Sequence, residues 1–551
     1  MFESGKLFVG CNYWASHAGT EMWADWQPEI IENDFKKLKS IGMELIRVFP
    51  NWRDFQPMTA MYEYSNHFFE YRMNEKPLPD TAAGRAGVSE IMLSRFKFVA
   101  DTALKYNLKL SVGLITGWMS GRQFRPSAFQ DVNVLTDGDC IRWQVKFIRL
   151  FVKTFKDHPA IAMWGPGNEC NCLGEFNRGQ FWVWCNTIAG AIRAEDSSHP
   201  IAAGMHALFP SHYASKDAAK GVSLQDMGEI WDLLTVHPYP LFTAHASREP
   251  LHYYRNVFHA VAEGCMYRDI GGKPTFSEEL GTFSEMWCSE ETKSSYLRNI
   301  LFNIWAHDGG GLLWWCAFDQ NHLTHAPYDW LAIERELGIM TPDYQVKPFA
   351  AEFTNVKNAI SSLPFDVLPP MKIDACCILT KAHDQWGAAW GSFVLAKQAN
   401  FNLKFAYGED VWPDSPLYLV PSMDSIFAMS NHKFIQLIEK VTAGATLYIS
   451  LGKIASINNF NKLFGVEVQY RHEIKTPLDV VYQNQHLPVE SEFQCIINPV
   501  DAELLATANG SGIFFKHRFG KGTVYLFDAP LEISLINSAM RIPDSTQYPY
   551  Y

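Results

Sequence analysis

The stretch His158-Pro159-Ala160-Ile161-Ala162-Met163-Trp164-Gly165-Pro166-Gly167-Asn168-Glu169 sets the frame for the whole chain. Residues 160–164 form a short apolar run between Pro159 and Gly165-Pro166-Gly167, as expected of a strand buried on both faces in a parallel sheet. An Asn-Glu pair follows the strand directly. Parallel strands need a crossover between them, and the sequence supplies one: a strand at 109–115, then a long helix at about 141–156, then this strand.

The same alternation extends in both directions. Upstream, 7–12 reads as a strand. Ile31, Phe35, Leu38 and Ile41 then recur at helical spacing within 29–41, and 44–49 reads as a second strand. Downstream, strands are predicted at 201–204, 233–236, 274–276 and 311–315. Eight parallel strands in about 350 residues predict an α/β fold of the (β/α)8 TIM-barrel type, with functional side chains at the carboxyl ends of the strands.

Composition bounds what such a barrel can serve. The chain of 551 residues is too long for one core, and its 47% hydrophobic and 19% charged residues suit an ordered globular protein. A formal net charge of -12 without any Lys/Arg run excludes affinity built on phosphate neutralisation, so nucleic acid is not an expected partner. The opening residues lack the layout of a secretory signal, and no apolar run nears the roughly 18–20 residues of a spanning helix. A cytoplasmic protein without membrane contact is expected. Eleven Cys at irregular spacing read as reduced thiols. Cys170-Asn171-Cys172 hints at a metal, but no second Cys or His pair stands at zinc-site spacing. Neither metal nor cofactor is expected.

A second acidic segment, Lys273-Pro274-Thr275-Phe276-Ser277-Glu278-Glu279-Leu280-Gly281, ends the seventh strand. Two carboxyls, each at the end of a strand, are what cleavage of a glycosidic bond requires. One delivers a proton to the leaving oxygen; the other, ionised, attacks or stabilises the oxocarbenium-like carbon. Their surroundings must split two similar pKa values.

These segments resemble the clan A glycoside hydrolases, families 5 and 42. The resemblance implies Glu169 as general acid/base after strand four and Glu279 as nucleophile after strand seven. Glu278 is the rival, and alternation along a strand is expected to admit only one of the pair to the barrel mouth. The likeness extends to Arg47 after strand two, beside the nucleophile, and to His237 and Tyr239 of His237-Pro238-Tyr239 after strand six, which orient it. Trp315, or alternatively Trp314, supplies the sugar platform. A guanidinium beside Glu279 would hold it ionised, and Asn168 is suited to donate to the sugar 2-hydroxyl. Trp118 and Trp14 complete the expected substrate-binding set. Arg122, Asp319, Gln320, His322 and Trp330 are open to subsite or structural roles. The segment from Asp329 to Gly338 resembles one that follows strand eight in mannan-active family 5-like enzymes and related exo-glycosidases.

Pro364, Pro369 and Pro370 mark a change of character, giving expected divisions at 1–362 and 373–535 with a C-terminal tail at 536–551. Strands at 374–379, 417–421, 445–450 and 523–528, with a helix near 433–442, predict a doubly wound α/β domain. Residues 418–422 and 443–450 resemble the class I glutamine-amidotransferase-like domain of family 42 β-galactosidases. The turn Leu451-Gly452-Lys453 carries no thiol, so the domain is expected to be non-catalytic. The resemblance implies a homo-oligomer, trimer or dimer, although the metal-binding Cys cluster and the C-terminal β-sandwich of family 42 are not found. The expectation is a retaining, exo-acting β-glycosidase of short β-linked oligosaccharides, with β-mannoside first and β-galactoside second. A carbohydrate-binding pseudoenzyme is the alternative from another class, and an amidotransferase-like enzyme a third.

Overall fold

The computed structural model describes residues 3–206, 222–246, 249–381 and 384–537. Among these, one compact unit comprises 3–206, 222–242 and 271–368, and a second comprises 243–246, 249–270, 369–381 and 384–537. A single cut near residue 362 therefore misses one excursion, because 243–270 groups with the second unit. Within that unit the His259 ring of the helix Tyr254–Gly271 meets Trp386 and Trp390 of the helix Gln385–Gln398, at 5.6 and 5.4 Å between centroids.

The first unit is built on a curled parallel sheet of seven strands. Phe8–Asn12 pairs with Leu45–Val48 on one side and with Gly311–Trp314 on the other. Beyond these lie Lys109–Ile115 and Ile161–Gly167 in one direction, and Thr275–Leu280 and Leu234–Val236 in the other. Two parallel bridges, Trp164 to Ile201 and Ala202 to Leu233, close the ring. The predicted fifth strand is thus reduced to a pair of bridges. Phe8, Leu45, Met163, Ala202, Leu233, Phe276 and Leu313 fill the interior as a closed cluster, the layered packing of a barrel of this size.

The outer helices form where the apolar spacing demands. In Gly138–Phe155, Asp137 caps the first turn by accepting from the Cys140 N–H at 2.8 Å, and Trp143, Phe147, Ile148, Phe151, Val152 and Phe155 are buried on one face. Each such side chain contributes about 1.5–3 kcal/mol of burial.

The second unit holds a nine-stranded sheet. Leu403–Tyr407, Ala375–Leu379, Leu417–Met423, Thr446–Leu451 and Gly522–Phe527 run parallel. Ser511–Phe519, Glu503–Ala508, Leu478–Tyr482 and Gln485–Val489 continue it antiparallel. Residues 536 and 537 finish the helix Leu531–Asn537, and the rest of the expected tail, 538–551, lies outside the described residues. No helix among the described residues is long and apolar enough to cross a membrane.

Candidate active site

The polar side chains gather where the barrel strands end. Gly167 closes the strand Ile161–Gly167 so tightly that a Cβ there would fall 2.1 Å from the Ile115 carbonyl oxygen. Glu169 follows with φ +44°, a left-handed conformation that is costly for a residue with a side chain. Its carboxylate accepts from three rings. Trp118 Nε1 donates to Oε2 at 3.2 Å, while His206 Nδ1 and His237 Nδ1 stand 2.8 and 2.9 Å from Oε1. Asn171, two residues on, braces the segment carrying His206: its side chain donates to the His206 carbonyl at 2.7 Å and accepts from the His206 N–H at 3.0 Å.

The strand Thr275–Leu280 corrects the expectation that only one of the adjacent glutamates enters the barrel. Its register against Gly311–Trp314 shifts between Ser277 and Leu280. Such an irregularity re-aims side chains, and both carboxylates reach Arg47. Arg47 Nη1 donates to Glu279 Oε1 at 2.7 Å, and Nε lies 3.2 Å from Glu278 Oε1. Asn12 Oδ1 and the Gly167 carbonyl accept from the same guanidinium, each at 3.3 Å. Tyr239 OH donates to Glu279 Oε2 at 3.1 Å. His237 Nδ1 lies 3.6 Å from that oxygen, and its Nε2 lies 3.3 Å from Glu278 Oε2. Arg47, Glu278, Glu279 and His237 are all buried.

Three carboxylates, two imidazoles and one guanidinium therefore form one network. Burial pulls the His237 pKa down, but Glu279, Glu169 and Glu278 outweigh it and push it up to about 10. His206 is likewise raised, by Glu169 against burial. Burial presses Glu169 upward, yet His206 and His237 hold it well below the usual carboxylate range. Glu279 is raised by burial, with Glu169 and Glu278 adding to it against the pull of His237 and Arg47. Glu278 is lowered, Arg47 and His237 overcoming burial. The two imidazoles are thus shifted towards the protonated form and Glu169 towards the ionised one.

The expected substrate-binding residues separate into two groups. Asn168 donates through Nδ2 to the Trp118 carbonyl at 3.3 Å, and its buried Oδ1 has no partner among the described residues. Trp315 is 5% exposed and donates through Nε1 to Glu334 Oε2 at 3.1 Å. Trp314 is buried and donates to the Leu337 carbonyl at 3.1 Å. Trp14 is stacked on Phe49, with centroids 5.2 Å apart, and its buried Nε1 has no partner among the described residues. Arg122 is tied to Glu21 and the Ala326 carbonyl, and Asp319 to Lys347 and the Gly338 N–H, so both brace loops. Gln320 donates to the Phe318 carbonyl at 3.3 Å, and His322 and Trp330 are both exposed.

Sequence reasoning missed His206 and the role of Glu334, and took Glu278 only as the rival of Glu279. His206 lies two residues beyond Gly204, where the expected strand 201–204 ends, and no motif around it signals a role. Glu278 was set aside by strict alternation. Glu334 stood inside a segment noted only for its likeness: burial, with Glu279 and Glu169 adding to it, pushes its carboxyl up to about 7 against donation from Ser120 and Trp315. Glu169, His206 and His237 also bring one carboxylate oxygen and two ring nitrogens within 4.8 Å of one another, a set able to hold a metal ion.

No family model matches the chain. Among curated proteins it is 25% identical over 204 residues to a probable mannan endo-1,4-beta-mannosidase F of Aspergillus flavus, covering 36% of this chain and 40% of that protein. It also matches the mannan endo-1,4-beta-mannosidase 4 of Solanum lycopersicum, 24% identical over 184 residues, covering 28% of this chain and 44% of that one. Its relatives are glycoside hydrolases. The chain spans less than half the length of these curated relatives. In fold it resembles the exo-beta-1,4-mannosidase of Opitutaceae bacterium strain TAV5, with a TM-score of 0.76 and 20% identity over 96% of this chain and 93% of the other. A GH42 beta-galactosidase of G. stearothermophilus gives a TM-score of 0.67 at 13% identity, covering 97% of this chain and 88% of that one. The neighbours in GH5 and GH42 share the clan A barrel.

Proposed function

We propose that the chain is a retaining β-glycosidase with Glu279 as nucleophile and Glu169 as general acid/base. The observation that carries this reading is the pair of carboxylates meeting at one ring nitrogen: His237 Nδ1 lies 2.9 Å from Glu169 and 3.6 Å from Glu279. Contacts this short to one shared nitrogen cap the separation of these two oxygens at the lower edge of the roughly 6.5–9.5 Å that leaves room for a water in an inverting site, which supports the retaining reading.

Glu279, held by Arg47 and Tyr239, attacks the anomeric carbon as the glycosidic bond breaks. The leaving oxygen takes a proton from Glu169, and the covalent intermediate is then hydrolysed by a water that Glu169 deprotonates. Glu169 is ionised in the network described above, so it has to be loaded first. An imidazolium N–H at 2.8 or 2.9 Å is the source, and the transfer is favoured once a sugar displaces water from the site. Positive charge developing on the sugar lowers the pKa of Glu279 at the same stage. Asn168 serves the 2-hydroxyl, Trp315 the apolar sugar face, and Trp118 the orientation of Glu169. The orphan Trp14 N–H suits a sugar hydroxyl.

Exo action on short β-mannosides in the cytoplasm is the favoured form. The named activities of the relatives support the mannoside, and eleven free cysteines support a reducing compartment. A β-galactoside is the second reading, favoured by the GH42 neighbour. The second unit is read as amidotransferase-like in architecture, non-catalytic, and involved in homo-oligomer formation. Proton NMR of the first product formed from an aryl β-mannoside tests retention: the β-anomer must appear before mutarotation, and an initial α-anomer overturns the mechanism.

A further inference from the structure

We propose that Glu169, His206 and His237 form a site for a divalent transition ion, with Zn2+ the best fit, and that occupancy blocks the acid/base. The inhibitory half of this proposal rests on the role given to Glu169 above; the binding half stands on geometry alone.

Three features point to an ion. The donor set is two imidazole nitrogens and one carboxylate oxygen, the borderline N/O chemistry that selects Zn2+, Cu2+ or Ni2+ over Mg2+ and Ca2+. Both Nδ1 atoms face the same oxygen, Glu169 Oε1, at 2.8 and 2.9 Å, and all three donor atoms lie within 4.8 Å of one another. Bonds of about 2.0–2.1 Å in a tetrahedral site separate ligand atoms by roughly 3.3 Å, so a small outward shift of the rings admits the ion.

The outer contacts are those that metal ligands require. His237 turns its other nitrogen, Nε2, to Glu278 Oε2 at 3.3 Å, the carboxylate–histidine arrangement that fixes tautomer and ring orientation. Trp118 holds the far oxygen of Glu169, Oε2, at 3.2 Å and leaves Oε1 to the ion. Asn171 locks the main chain of His206 through two hydrogen bonds.

Three protein ligands leave a fourth position, on the side where a glycosidic oxygen must approach Glu169. An ion there replaces the protons the imidazoles carry and occupies the oxygen that would deliver one to the leaving group. Zn2+ is therefore expected to compete with substrate.

The test uses chelator-treated full-length protein, Zn2+ titrated by calorimetry and Co2+ by visible absorption, on wild type, His206→Ala, His206→Gln and Glu169→Gln. The expected result is one ion per chain with the intense visible bands of low-coordinate Co2+, binding weakened at least tenfold in each variant, and no response to Mg2+. Zn2+ must also inhibit aryl glycoside hydrolysis competitively, with an inhibition constant equal to its dissociation constant. Circular dichroism and metal-free melting of the variants separate lost ligands from lost fold. Absence of stoichiometric binding, or binding untouched in every folded variant, overturns the site. Binding without inhibition of an active enzyme overturns the blocking role. Binding to a protein that hydrolyses no glycoside upholds the site while the glycosidase reading falls.

Discussion

Replacing Arg47 by Met keeps an unbranched side chain of similar length in the barrel and removes the cation that faces two carboxylates. Arg47 is 1% exposed and contacts Glu279 at 2.7 Å and Glu278 at 3.2 Å. Removing one member of a buried ion pair strands the other, at a cost of about 3–5 kcal/mol. The pH dependence has a definite sign. Glu279, already raised by burial, loses one of the two groups that pull it down, and Glu278 loses its strongest. A carboxylate whose folded pKa is raised is protonated in both states at low pH. As pH rises the unfolded chain ionises first, so stability is lost up to the folded pKa. In the wild type Glu278 runs the other way, contributing stability above its unfolded pKa and losing it as pH falls. The two chains should therefore draw together only near about pH 3, below the unfolded glutamate range, as Glu278 is protonated in the folded wild type, and separate to the full 3–5 kcal/mol by neutral pH. Urea unfolding of the barrel at both pH values, followed by Trp fluorescence, measures this. A gap of equal size at both pH values, or none at neutral pH, refutes the reasoning.

Tyr239→Phe leaves the ring packed against Phe242 and Phe283 and deletes the 3.1 Å contact of the hydroxyl to Glu279. A hydrogen bond to a charged group contributes about 1.5–3 kcal/mol, so kcat/KM should fall roughly tenfold to a hundredfold with melting little changed. Trp118→Phe removes the indole donor to Glu169, and should slow substrates with poor leaving groups about tenfold while sparing those whose aglycone departs without a proton. Equal losses on both would remove Trp118 from acid catalysis. Glu334, raised to about 7, is neutral at acidic pH and gains a charge facing Glu279 and Glu169 as pH rises through that value. Glu334→Gln should move the alkaline limb to lower pH, because that charge helps hold the proton on Glu169 and its imidazoles, and an unchanged alkaline limb would deny it that influence.

The barrel was legible because each parallel strand is short, apolar and followed by a helical period. The carboxyl-end rule then drew attention to Glu169 and Glu279, the resemblance to clan A glycoside hydrolases added Arg47, His237 and Tyr239, and the structure brings all five together. What escaped depends on departures from regular geometry. Glu278 enters the network because the register shifts in Thr275–Leu280, and local alternation carries no trace of that. The segment carrying Ile201 and Ala202 pairs through single bridges, so regular strand periodicity does not reach His206 beyond it. Residues 466–519 fold as antiparallel strands around turns such as Gln483-Asn484, both with positive φ. Such half-exposed strands alternate too weakly in hydrophobicity to stand out, unlike the continuous apolar runs of the parallel core. The excursion of 243–270 into the second unit depends on long-range packing of His259 against Trp386 and Trp390, which spacing cannot encode.

The central claim is the division of labour between Glu279 and Glu169. Hydrolysis of aryl β-mannoside, galactoside, glucoside and xyloside by wild type, Glu279→Gln and Glu169→Ala, with and without azide, tests it most directly. Activity on one sugar, the mannoside first, should vanish in Glu279→Gln. In Glu169→Ala it should return with azide and yield the β-glycosyl azide, because a small anion attacking the covalent intermediate needs no general base. Full activity in Glu279→Gln, or a Glu169→Ala enzyme that azide does not rescue, would contradict the assignment.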